Sequence, residues 1–340
     1  MDPRQLHHAP PAPTLDVVAV GSAIVDVLAH VDDAVVTAHG LVKGTMVLVD
    51  HDQSAALYDT MPPGIEVSGG SAANTAAGVA SLGGAVGFVG KVRDDALGEI
   101  FTHDLRSTGV MYTTPPGTSG PPTARCLILV TPDAERTMST YLGTAGELSA
   151  GDIDPALIAS ARITYVEGYL VGLPSAEGAL QAAVAAAHAA GRKVALTLSD
   201  PLWVGIQRDA FKVLLPEIDI LLGNEAEAVE LTGESDLEEA LRSLAQTCPV
   251  VALTRGAAGA IASDGGEIVR VPAEPVERLE DTTGAGDLFA AGFLLGLARQ
   301  RPLQDCLRLG ALAAAEVISH IGARPQTSLT GLASSRGLHL

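Results

Sequence analysis

Large side chains and positive charge are both scarce in this sequence. Aromatic residues make up only 3% of it, so its core must be assembled from small and branched aliphatics packed between close-lying helices and strands. Lys and Arg number 21 against 40 Asp and Glu, a formal charge of −19. Such a field repels a nucleic-acid backbone and an anionic membrane surface, leaving a small-molecule partner as the expectation. The three cysteines, Cys126, Cys248 and Cys306, show no CxxC or other ligand spacing, so buried thiols in a reducing, cytoplasmic setting are expected rather than disulfides or zinc. Residues 1–14 are polar and proline-rich, without a signal-type apolar stretch, and read as a disordered tail. GxxxxGK[ST], GxGxxG and GxSxG are all missing, which removes the P-loop, the dinucleotide fingerprint and the nucleophile elbow.

What is present is 340 residues, 47% of them hydrophobic, enough for one large core. Strand-like runs at Leu15–Val20, Ala85–Val89, Ile163–Glu167, Lys193–Leu198, Ile218–Leu222 and Pro249–Leu253 alternate with helical patterns, including Ala96–Ser107, Ser175–Ala190 and Glu225–Leu231. That alternation predicts a mostly parallel sheet with helices on both faces. Ile24–Val31 with Gly44–Asp50, and Thr123–Thr131 with Arg136–Leu142, read as strands without crossover helices, hence a small separate sheet. Such a sheet can serve as a lid that keeps water from a cleft, or be a plain edge extension. Gly259–Val271 predicts a hairpin turning at Asp264-Gly265-Gly266. The expected organisation is a tail over 1–14, an α/β domain over 15–325 with lid segments at about 24–50 and 121–143 inserted in it, and a C-terminal tail over 326–340.

The strongest chemical signal is Asp281-Thr-Thr-Gly-Ala-Gly-Asp287, a glycine-rich turn running into an apolar helical stretch. Gly284 and Gly286 let backbone approach a ligand, and the helix start aims unpaired N–H groups and a positive dipole end at one point. An anion belongs there. Asp287, in the first helical turn, is placed to accept a proton from a hydroxyl attacking phosphorus, although an acid after a glycine loop also suits any helix N-terminus.

The run from Asp281 to Leu294 resembles the C-terminal signature of the PfkB, or ribokinase-like, carbohydrate kinases, and further matches are ordered from about Asp16 to Ala323. The resemblance implies a three-layer α/β/α fold with a small β-sheet lid, ATP and Mg²⁺ as cofactors, and phosphoryl transfer to an alcohol by a monomer or homodimer. It implies Asp287 as base, and Gly284, Ala285 and Gly286 as an anion hole. Gly21-Ser22-Ala23-Ile24-Val25-Asp26 resembles the substrate-binding turn, with Asp26 accepting from a vicinal diol and Ser22 beside it. Gly69, Gly70, Ser71 and Asn74 match the glycine pair and Asn that meet sugar hydroxyls; Ser71 also suits a helix cap. Asn224 and Glu227 match an Asn-x-x-Glu motif whose carboxylate reaches magnesium through water, and the same pair suits a capping box. Thr254 and Gly256 resemble the nucleotide-side turn, and Ala314, on a helix over Leu307–Ser319, can lie against adenine or simply pack helices.

Glu135-Arg136-Thr137-Met138, Tyr165-Val166-Glu167-Gly168-Tyr169 and Thr197-Leu198-Ser199-Asp200-Pro201 are similar to adenosine kinases. This implies adenosine as acceptor, Arg136 as a phosphate clamp from the lid, and Tyr169 and Met138 as walls for the base. Leu202 stands where such kinases tend to carry an aromatic, with Trp203 beside it. Ribose, fructose or another furanose is the alternative acceptor.

Overall fold

The computed structural model describes residues 12–133 and 135–340, so most of the expected N-terminal tail lies outside the described residues. Its strands run β1 (Leu15–Val20), β2 (Ile24–His30), β3 (Met46–Leu48), β4 (Ile65–Gly69), β5 (Val86–Val89), β6 (Met111–Tyr112), β7 (Ala124–Val130), β8 (Arg136–Tyr141), β9 (Ala161–Val166), β10 (Lys193–Thr197), β11 (Ile220–Asn224), β12 (Val250–Thr254), β13 (Ala260–Asp264) and β14 (Glu267–Val271).

Nine of them form one sheet in the order β14-β13-β12-β11-β10-β9-β1-β5-β6. The run β6-β5-β1-β9-β10-β11-β12 pairs in parallel, and only the hairpin end, β12-β13-β14, is antiparallel. The central strands are buried on both faces, Val17 to Val20 and Val250 to Leu253 for instance, as a parallel sheet covered on two sides demands. One face packs against helices Ser71–Ser81, Ala285–Ala298 and Leu303–Val317. The other packs against Glu177–Ala189, Glu225–Thr232 and Leu237–Leu244. The predicted three-layer α/β/α architecture is therefore present. Gly292 and Gly296 let Ala285–Ala298 lie against Leu303–Val317, because a Cβ at either would meet Leu309 or Cys306 at contact-breaking distance.

Local chemistry explains several boundaries. Asp95 caps Ala96–Ser107 by accepting the Gly98 N–H at 2.8 Å, and Gly233, with φ +78°, ends Glu225–Thr232. The β13–β14 hairpin turns at Gly265-Gly266, both with positive φ, as a two-residue loop between twisted strands requires.

The second sheet has five strands in the order β3-β8-β7-β2-β4. It differs from the sequence expectation in three ways. β2 and β3 do not pair: β2 lies between β4 and β7, and β3 joins β8. Helices Asp33–Ala38 and His51–Thr60 lie between β2 and β4. β4 itself, outside the expected lid segments, forms an edge of this sheet because its backbone finds antiparallel partners on β2. Residues 326–340, expected as a tail, include the helix Leu329–Ser335, whose Leu329 and Ala333 are buried and whose Thr330 Oγ1 donates to Ser81 O at 2.8 Å. All three cysteines are free and buried. No helix among the described residues is long and apolar enough to cross a membrane.

Candidate active site

Five strands of the main sheet, β1, β9, β10, β11 and β12, end along one edge, and their carboxyl ends carry Ser22, Glu167, Ser199, Asn224 and Thr254. In a parallel sheet that edge is where ligands bind, because the loops diverge there and helix N-termini point into the gap. Two such N-termini meet here, those of Ser71–Ser81 and Ala285–Ala298. Between them and the strand ends opens a cleft of about 390 Å³, lined by Ser71, Tyr169, Asn224, Glu227, Thr254 and the run Gly284–Asp287, among others.

Asp287 sits where the two helices cross. Ser71 Oγ donates to its Oδ1 at 2.6 Å and Asn74 Nδ2 to its Oδ2 at 2.9 Å, while Thr75 Oγ1 donates to its backbone carbonyl at 3.1 Å. Ser71 and Asn74, expected to meet substrate, are thus first of all partners of this carboxylate. Burial raises the Asp287 pKa above the ordinary carboxylate range; the Ser71 and Asn74 hydrogen bonds and the Arg324 guanidinium pull it back.

The turn ahead of it holds an unusual backbone. Gly284 has φ +80°, and a Cβ there would lie 2.8 Å from Ala323 Cβ, so the position takes glycine for both conformation and space. At Gly286 a Cβ would meet nothing within 4 Å, leaving open cleft beside the backbone. No side chain caps this helix. The Ala285 N–H turns back to Thr282 O at 3.2 Å, so of the three expected anion-hole positions it is the one already occupied. Asp281 ties the turn together: its Oδ1 accepts from Thr283 N and Oγ1 at 3.0 and 2.7 Å, and its Oδ2 from Gly322 N at 2.8 Å. Arg136, from β8 of the small sheet, pairs with the same carboxylate at 2.8 Å and donates from Nη1 to Thr283 Oγ1 at 3.4 Å. The small sheet therefore reaches the phosphate-sized turn through this arginine.

On the other wall Asn224 and Glu227 form a reciprocal capping box. Asn224 N donates to Glu227 Oε2 at 2.8 Å, Asn224 Nδ2 to Oε1 at 2.7 Å, and Glu227 N to Asn224 Oδ1 at 2.9 Å. Glu227 is 4% exposed, and burial pushes it up to about 7. Among the described residues no three metal-ligating side chains converge. Continuous with the cleft is an apolar slot of about 140 Å³, where Thr254, Gly256, Phe289 and Ala314 come together.

The remaining residues singled out in the sequence gather on the side of the small sheet. Asp26, on β2, lies against Gly69, where any Cβ would collide with its carboxylate. Burial pushes Asp26 up to about 7 although it keeps some exposure, with Arg324 and Arg136 pulling it down. Gly70, with φ +93°, has no room for a Cβ beside Ser22 O. Tyr169 lines the cleft. Met138 does not; it packs with Cys126, Ile128 and Val130 in the small sheet. Trp203 donates from its indole N–H to Gly168 O at 3.1 Å, so it braces the turn carrying Tyr169 instead of facing the cleft, and Leu202 is 74% exposed. Ser199, at φ +74°, accepts the Gly168 N–H at 3.0 Å and braces the same turn.

Two charged residues here were not singled out in the sequence. Glu167, 1% exposed, accepts from Ser22 N and Ala72 N at 3.2 and 3.1 Å, fastening β1's end to the first turn of Ser71–Ser81, and burial pushes it up to about 7. Arg324 bonds Ala73 O and Ser68 O. Arg324 had only a weak signal, a lone cation in the small-residue loop after an alanine-rich helix.

A family model described as "pfkB family carbohydrate kinase" matches residues 64–329. The chain belongs to this family. A pfkB kinase is a phosphotransferase with an alcohol group as acceptor. This pfkB kinase is 47% identical to a solved adenosine kinase from Sinorhizobium meliloti, with TM-score 0.88 over 95% of this chain and 99% of that one. It is 45% identical to a probable sugar kinase from Rhizobium etli CFN 42, with TM-score 0.89 over 96% and 99%. A fructokinase from Klebsiella pneumoniae is 31% identical over 72% of this chain and 82% of its own.

Proposed function

We propose that this kinase transfers the γ-phosphate of ATP to the 5′-hydroxyl of adenosine, with Asp287 as the base. The observation that carries the chemistry is the Asp287 carboxylate, oriented by Ser71 and Asn74 beside an uncapped helix N-terminus. The apolar slot at Gly256 and Ala314 suits the adenine of ATP, which sends the triphosphate past Thr254 towards Gly284 and Gly286. Asp26, Ser22, the Gly69–Gly70 turn and Asn74 hold the ribose hydroxyls, and Tyr169 gives the base a wall. The 5′-oxygen attacks the γ-phosphorus, the bond to the β,γ-bridging oxygen breaks, the proton passes to Asp287, and ADP leaves. Backbone N–H groups of the glycine turn, with Arg136, hold the charge on the phosphoryl oxygens.

Glu227, with both oxygens engaged by Asn224, would hold a nucleotide-bound magnesium ion through water. When bound, the ion neutralises phosphate charge.

A furanose sugar is the second reading, and the Trp203 geometry favours it, since with that indole spent on Gly168 the base side has a single aromatic wall. A coupled ADP-release assay over adenosine, inosine, ribose and fructose ranks the acceptors. Highest kcat/KM for adenosine is expected; turnover with free sugars alone overturns the nucleoside reading.

A further inference from the structure

Arg324 comes from the loop after Leu303–Val317, far in sequence from everything it touches. Its Nη1 donates to Ala73 O at 3.0 Å, and its Nη2 donates to Ser68 O at 2.9 Å and Ser68 Oγ at 3.0 Å. Those partners flank Gly69, Gly70 and Ser71 on either side, so one planar fork spans the whole acceptor-side turn. Asp104, from Ala96–Ser107, holds the same serine, accepting from Ser68 N at 2.8 Å and from Ser68 Oγ at 2.6 Å. The Arg324 Nε atom is buried without a partner. So costly a placement for a guanidinium calls for a role beyond packing.

We propose that Arg324 is a positioning residue for phosphoryl transfer: its fork fixes the Gly69–Ser71 turn that receives the acceptor, and its positive charge acts on the Asp26 and Asp287 carboxylates of the same site. This rests on the reading of Asp287 as base. The titratable and charged groups acting around Asp287 are Arg324, Asp26 from β2, Glu167 after β9, Glu227 after β11, and the Tyr165 and Tyr169 phenols. Arg324 is the cation among them. Arg136 acts on Asp26, alongside Arg324. Asp287 in turn raises the Asp26, Glu167 and Glu227 carboxyls, and Arg324 lowers Asp26 and Asp287. Burial lowers Arg324 itself to about 10, while Asp104, Asp26 and Asp287 hold it charged.

The test is steady-state kinetics of the full chain from about pH 5 to about pH 9 with adenosine and MgATP, on Arg324→Met, Arg324→Lys and, as control, Asp287→Asn. In Arg324→Met the acid limb of kcat/KM moves up by about one pH unit, because a lost cation raises both carboxyl pKa values. The acceptor KM rises about tenfold as the turn loosens. In Arg324→Lys the limb returns towards the parent position while KM stays high, since an ammonium supplies charge but cannot span the fork. A limb that stays put in Arg324→Met overturns the electrostatic role, and an unchanged KM in Arg324→Lys overturns the clamp. Should Arg324→Met fail to fold, the KM of Arg324→Lys still decides the clamp, and its limb the charge: a limb displaced as far as a neutral side chain predicts counts against that half. Retained turnover in Asp287→Asn sinks the base assignment instead, and leaves the clamp to be judged by KM alone.

Discussion

At the scale of single residues, the glycine turn separates two requirements that the sequence presents as one. Gly284 is needed by the fold, through φ +80° and the 2.8 Å approach of Ala323, whereas Gly286 faces open cleft. Gly284→Ala should therefore cost about 1–3 kcal/mol in urea unfolding and also lose activity. Gly286→Ala should leave the unfolding midpoint nearly in place while lowering kcat/KM, because its methyl occupies ligand space. Equal stability losses in the two variants would contradict the distinction. Asp287 was legible in the sequence because its signal is local, a carboxylate three residues past a glycine at a helix start. Arg324 and Glu167 were not, because their partners lie up to 256 and 145 residues away and no local pattern encodes a clamp across such a distance. Trp203, beside the position where an aromatic was looked for, has its N–H used up inside the protein.

At the scale of elements, capping chemistry set boundaries that periodicity left open. Asp95 opens Ala96–Ser107, and Asn224 with Glu227 opens Glu225–Thr232; both helices begin where their side chains said. β4 was missed, because Ile65–Gly69 is short, follows two prolines and becomes a strand only through β2. The helix His51–Thr60 buries only Ser54 and Leu57, too little to leave an apolar stripe. The small sheet meets the glycine turn through the Arg136–Asp281 pair, both partners being largely buried. Arg136→Gln should reduce kcat/KM by about 10²–10³ if that guanidinium holds the transferred phosphoryl group. Steady-state kinetics showing a change of less than threefold, roughly, would leave Arg136 as a tie between sheets and nothing more.

At the scale of the whole molecule, buried carboxylates shape the pH dependence of stability. Glu167 and Glu227 both rise from 4.5 to about 7 in the folded chain. A carboxyl with a raised folded-state pKa favours folding below its unfolded value, and that contribution is lost as pH climbs through the folded value. The ligand-free protein should accordingly melt at a lower temperature at about pH 8 than at about pH 6. Asp133, held near 2 by Lys43, titrates below this window. The net charge of −19 pushes in the same direction, and added salt screens that part. Glu167→Gln isolates the local term: it should flatten the slope in scanning calorimetry at high salt, and an unaltered slope would show that Glu167 is already ionised without penalty.

The account as a whole turns on a proton leaving the acceptor hydroxyl for Asp287 as its oxygen meets phosphorus. The most direct measurement is kcat of Asp287→Asn at saturating ATP and acceptor, with folding checked by its melting curve. A fall of about 10²–10⁴ with the fold intact is predicted, since the amide keeps the side chain's shape and cannot take the proton. A kcat within a few fold of the parent, in a folded variant, would contradict it.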